Sequence, residues 1–146
     1  MAWKYTTYEI SKHVNVSTSN LATRMNYDEQ LSNAIQAWNT GDVEDEWQFQ
    51  RLREACIGAM PPEVAFRSVD PTIDQLLTQD SEMTATEVME TLLALAIRSQ
   101  TTEVPNRLKE ALDLIDCLFA RFGDYAKDKW TELKRYYGLG TKRGHA

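Results

Sequence analysis

The sequence is poor in the residues that staple, break or cradle a chain. Two cysteines in 146 residues exclude a disulfide framework. Both, Cys56 and Cys117, fall inside helical apolar patterns, so buried, reduced thiols are expected. The two histidines, His13 and His145, are far apart, and no spacing links either to a cysteine as a metal site or a nucleophile–base pair. The six glycines form no phosphate-cradling loop. No apolar run approaches the roughly 20 residues of a membrane span. The first residues also lack the charged-then-apolar order of a secretory signal. These absences argue against an enzyme, a metal site and a cofactor, and they lead us to expect a cytoplasmic protein with no membrane contact.

What is present is ample for a core. Hydrophobic residues make up 42% of the chain and aromatics 10%, which excludes a wholly disordered polymer. The net charge of −6 is unevenly spread. Residues 1–26 carry +2, residues 27–60 and 61–100 carry −5 each, and residues 101–146 return to +2. An acidic middle with mildly basic ends permits nucleic-acid contact at the ends only.

Helical periodicity recurs along the whole chain, with no strand hairpin and no internal repeat, so the expected class is all-α with six to eight helices. Thr6 with Glu9 fits a capping box, and Ser17 suits the cap of a second helix. A third helix is expected over residues 28–39, with Leu31, Ala34, Ile35 and Trp38 on one stripe and Gly41 as its stop. Asp42, Glu44, Asp45 and Glu46 suit a helix start better than a pair of catalytic acids, and Leu52, Cys56 and Ala59 carry that helix to Pro61-Pro62. Residues 63–69 read as a short helix or connector. Asp70-Pro71 reads as a cap and first-turn proline for another short helix with Ile73, Leu76 and Leu77. Thr84 with Glu87 forms a second capping box, heading a helix whose Leu92, Leu93, Leu95 and Ile97 are apolar all round, the mark of a central element. Two further helices are expected over residues 105–122 and 125–137, stopped by Gly123 and Gly138, with a mobile tail over 139–146.

Residues 8–25 carry the sharpest functional signal. Ile10 and Val14 share one face of a short helix, Ser11 is small enough for a close crossing, Asn15 tolerates a left-handed turn, and Val16 and Leu21 close over the pair. This stretch resembles the helix-turn-helix of bacterial and phage transcription regulators. The opening Trp3-Lys4-Tyr5-Thr6 is similar to the start of MerR-like and excisionase-like proteins. The likeness covers about 20 residues. Asn15 stands where such motifs usually place glycine, Arg24 falls where an apolar residue is usual, and no strand-turn-strand wing follows. A tri-helical unit over residues 1–41, completed by Leu31, Ile35 and Trp38, is therefore expected ahead of a helical body over 42–138.

The resemblance implies a recognition helix over residues 17–24. Ser17, Thr18, Ser19, Ala22 and Thr23 would face a double-stranded DNA groove, with Asn20 and Arg24 at the margins and Lys4, Lys12 and Arg24 on phosphates. So few charges anchor weakly, so a homodimer or higher oligomer through the C-terminal helices is expected. Lys127, Lys129, Lys134, Arg135, Lys142 and Arg143 read as a solvated face or a second phosphate-contacting surface, and Trp38, Trp47 and Trp130 as core. The alternative belongs to another class: an acidic all-helical adaptor or inhibitor that meets a basic protein surface and touches no DNA.

Overall fold

A computed structural model of the chain describes residues 16–41 and 47–139, with side chains from residue 26 onward. Its α-helices are α1 (Val16–Thr40), α2 (Gln48–Arg51), α3 (Pro62–Leu77), α4 (Glu82–Ser99), α5 (Asn106–Phe119) and α6 (Asp124–Tyr136), with no strand among the described residues. The all-α expectation holds. Helix α2 runs on as a π-turn over Leu52–Cys56 and a 3-10 turn over Ile57–Ala59. The stops follow local chemistry. Pro61 is extended and Pro62 takes the first helical position of α3, where a missing N–H costs nothing. Gln100 closes α4 in the left-handed region, and Gly41 and Gly138 take positive φ after α1 and α6.

Helices α3 and α4 make the most extensive pairing, joined by the short link 78–81. Helix α6 packs on α4, α5 on α3, and α1 lies across α3, α4 and the π-turn. Ten residues of α4 are buried, including Val88, Met89, Leu92, Leu95 and Ala96, so the expected central element is found. Ile97, however, is exposed on it.

The break expected between residues 25 and 28 does not occur. Helix α1 is continuous over 25 residues, about 38 Å, because no glycine or proline interrupts it. Tyr27, Leu31, Ala34 and Ile35 share one core with the other described helices, while the first helix of the expected tri-helical unit lies outside the described residues. Tyr27 is fully buried, and its hydroxyl lies 2.7 Å from Thr72 Oγ1. Thr72 Oγ1 donates to the Ser68 carbonyl at 2.8 Å, so Tyr27 is the donor in the first bond.

Helix α3 likewise runs through Pro71 without a break. The proline removes one donor to the preceding turn, but Val64, Ala65, Val69, Ile73 and Leu76 keep an unbroken buried stripe, and packing outweighs the local cost. Asp70 therefore does not cap its own helix. Its carboxylate accepts from Arg107 N at 3.2 Å and caps α5, whose own N-cap, Pro105, has no side-chain acceptor. Glu82 does the same for α6, accepting from Gly123 N at 3.0 Å. The cap of α4 is Ser81, accepting from Thr84 N, rather than Thr84 itself, which is buried. Three apolar expectations also change. Ala59 is exposed while Ile57 and Met60 are buried, because the π-turn shifts which face the segment presents. Trp47 is 56% exposed, and Leu139, expected in the tail, packs partly buried against the core.

The two thiols part company: both are free, but Cys56 is buried and Cys117 exposed, which corrects the expectation of two buried thiols. Burial pushes the Cys56 thiol up from 9.0 to about 11, with Asp28 adding to the shift. At pH 8 one thiol, Cys117, should react with an aromatic disulfide reagent, and Cys56 only after denaturant is added. Between pH 9 and about 11 the unfolded chain gives up the Cys56 proton while the folded chain keeps it. That contribution is complete below pH 9 and is lost as pH rises through the folded value. Thermal melts should be flat near pH 8 and fall above pH 9, with a shallower fall in Cys56→Ala; equal slopes would contradict this.

Candidate functional site

The described surface with the most unusual chemistry is a groove of about 380 Å³ where three helices meet. Trp38, in the last turn of α1, lines it with Glu82, Met83, Thr86 and Glu87 from the first turns of α4 and Tyr125 from the first turn of α6. The helices converge here because α4 is packed along its length by α1 and α6, and its acidic first turns emerge at this end. Trp38 stands edge-on to Phe49 at 5.7 Å between ring centres. Met83 is 65% exposed and Tyr125 60%. Exposed apolar side chains beside one groove differ from the isolated ones that any surface carries.

Carboxylates surround the apolar walls. Glu82 holds Gly123 N, Tyr125 donates its hydroxyl to Glu90 at 2.5 Å, and Arg53 reaches Glu87 at 3.0 Å and Glu90 at 3.6 Å. The hydrogen bond to Glu90 raises the Tyr125 phenol, with burial and the Glu90 and Glu87 charges adding to it. One guanidinium thus bridges two carboxylates, and the acids outnumber it. Lys129 Nζ lies 5.1 Å from the Tyr125 ring centre and 3.6 Å from Glu132.

Two further hollows among the described residues offer less. One of about 400 Å³ between α5 and α6 is lined by Asp116, Trp130, Lys127 and Lys134 among others. Three of its polar groups already engage one another: Trp130 Nε1 donates to Asp116 at 2.6 Å, and Lys134 lies 3.4 Å from Asp116 and 5.0 Å from the Trp130 ring centre. Two cations of the sequence-predicted basic set, Lys129 and Lys134, are thereby tied to neighbouring carboxylates, while Lys142 and Arg143 lie outside the described residues. The third, about 170 Å³, joins Gln30, Asn33, Gln48, Arg51 and Leu52.

None of the residues that the helix-turn-helix resemblance suggested for DNA contact has a described side chain. Lys4 and Lys12, with the first helix of the expected motif, lie outside the described residues. Ser17, Thr18, Ser19, Asn20, Ala22, Thr23 and Arg24 fall on the first turns of α1, where the backbone is helical and their side chains are outside the description. Thr18 and Trp38 are separated by about 30 Å along the helix axis. Among the described residues no group of three or more His, Cys, Asp or Glu is placed to hold a metal, and no helix is long and apolar enough to cross a membrane. No known family, curated protein or solved structure matches this chain.

Sequence reasoning missed the groove for identifiable reasons. Trp38 and Trp47 read as core on periodicity alone, and Glu87 read as a capping partner. Met83 and Tyr125 gave no signal, because exposure at a helix start is invisible to a periodic pattern. Trp38 also carries a buried indole N–H that has no hydrogen-bond partner among the described residues. An unpaired buried donor costs about 1–3 kcal/mol, so removing it recovers part of the lost packing. Urea denaturation of Trp38→Phe should therefore show a loss below about 1 kcal/mol or a gain; a loss above about 2 kcal/mol would mean that the indole N–H is satisfied.

Proposed function

We propose that this chain is an acidic, all-helical protein-binding domain that acts as an adaptor or inhibitor through contact with a basic partner and without catalysis. The observation that carries this reading is the groove itself: Trp38, Met83 and Tyr125 stand together among Glu82, Glu87 and Glu90. An apolar centre ringed by charge of one sign supplies both halves of a protein interface. Desolvation gives affinity, and complementary charge gives orientation and encounter rate. The same acidity repels a nucleic-acid backbone. The free thiols Cys56 and Cys117 suit a reducing compartment such as the cytoplasm.

A second reading keeps the transcription-regulator resemblance. One observation favours it: α1 gives residues 17–24 a helical backbone and is fixed to the body by Tyr27, Leu31 and Ile35, as a reading helix would need. In that reading the chain binds double-stranded DNA as a homo-oligomer.

Parallel selections separate the two. The folded protein is presented with a random duplex DNA pool and with a displayed random-peptide library, each across a salt series. Peptides that mix Lys or Arg with large apolar residues should be enriched and released by salt, with no DNA sequence enriched. Enrichment of a DNA motif, lost in the Thr18→Ala/Thr23→Ala/Arg24→Ala variant, would contradict the proposal and establish the second reading.

A further inference from the structure

Resting on the protein-binding reading, we infer that the groove between α1, α4 and α6 takes one short basic amphipathic segment of a partner protein. An apolar side chain of that segment sits between Trp38, Met83 and Tyr125, and its flanking cations lie against Glu82, Glu87 and Glu90.

Size, charge and local precedent point to that occupant. A groove of about 380 Å³ accommodates two or three side chains and not a folded surface, which limits the partner to a segment. Its walls expose a thioether and a phenol ring over an indole, and a flexible methionine adapts to varied apolar anchors. Carboxylates exceed the cation available to them, since Arg53 spans both Glu87 and Glu90 while Glu82 is engaged by a backbone N–H. The chain's own cations already show how each surface accepts positive charge: Arg53 on the Glu87–Glu90 pair and Lys129 over the Tyr125 ring. A partner's Lys or Arg would meet the same acids from the solvent side. Amphipathic segments of this kind lay an apolar stripe into a groove and leave their charges at its rim.

The test uses the full chain and fluorescent synthetic peptides, read by anisotropy with circular dichroism as a check on folding. The probes are an amphipathic Lys/Leu helix, its Glu/Leu counterpart and a Lys/Ser peptide of equal charge. The Lys/Leu peptide should bind with a salt-sensitive affinity, the Glu/Leu peptide should not bind, and the Lys/Ser peptide should bind at least about tenfold more weakly. Met83→Lys places a like charge in the groove at a side chain with little folding role, and it should weaken Lys/Leu binding by about tenfold or more. Tyr125→Ala should weaken it in the same direction. Ile97→Lys, about 21 Å further along α4, should bind like the unaltered chain. Unchanged binding in Met83→Lys and Tyr125→Ala would overturn the groove assignment while leaving a basic-partner domain intact. No binding of any basic peptide would overturn both readings. A concentration-dependent dimer abolished by Met83→Lys would replace the partner segment with a second copy of this chain.

Discussion

The structure depends on one constraint: α4 must be covered along most of its circumference. Val88, Met89, Leu92, Leu95 and Ala96 are all buried, and no single neighbouring helix could cover them. Helix α3 takes the largest share, α6 packs on α4 as well, and α1 crosses both α3 and α4. Everything that sequence-local rules would have broken is held by this packing. Helix α3 tolerates a proline in its interior, and the segment after α2 widens into a π-turn that brings Leu52, Cys56 and Ile57 into the core. That turn also carries Arg53 to Glu87 and Glu90.

Polar groups are organised by the same convergence. Two helices that lack side-chain caps of their own receive a carboxylate from elsewhere, Asp70 for α5 and Glu82 for α6. These bonds use acids as anchors for helix starts, where the macrodipole favours negative charge. Ser68 in α3 and Thr86 and Thr91 in α4 each donate a hydroxyl back to a carbonyl of their own helix, so these three donors are satisfied. Surplus acidity then collects at the start of α4, where the apolar groove lies open. Stability and the candidate site come from one arrangement: the end of α4 that anchors α6 is also the end that presents Met83 and Glu87.

Much of the architecture was legible in the sequence. The all-α class, the Pro61-Pro62 break, the central character of the Leu92 helix and the stop at Gly138 follow from periodicity and turn chemistry, whereas α5 ends at Phe119 and the expected stop, Gly123, instead stands at the N-cap of α6. What failed shares one cause. Asp70-Pro71 and Thr84 with Glu87 are local signatures of helix starts, and tertiary packing assigned those residues to other work: capping α5, core burial and pairing with Arg53. The boundary expected after residue 25 failed because Tyr27 is not a helix breaker and finds a buried partner in Thr72. The groove was not legible at all, since it is formed by residues from α1, α4 and α6 that no linear pattern relates.

On the proposed reading, function resides where Met83 of α4 meets Trp38 of α1, and Trp38 lies about 30 Å along α1 from Thr18 in the stretch that resembles a DNA-reading helix. Methyl-labelled methionine gives a direct reading, because the five methionines mark separate places: Met1 and Met25 toward the N-terminus, Met60 and Met89 in the core, and Met83 at the groove. On titration with the basic amphipathic peptide the account predicts a saturable shift of the Met83 methyl signal, with Met60 and Met89 unmoved and no response of any methionine to duplex DNA. A Met83 signal that stays fixed while Met25 or Met1 shifts with duplex DNA would contradict it.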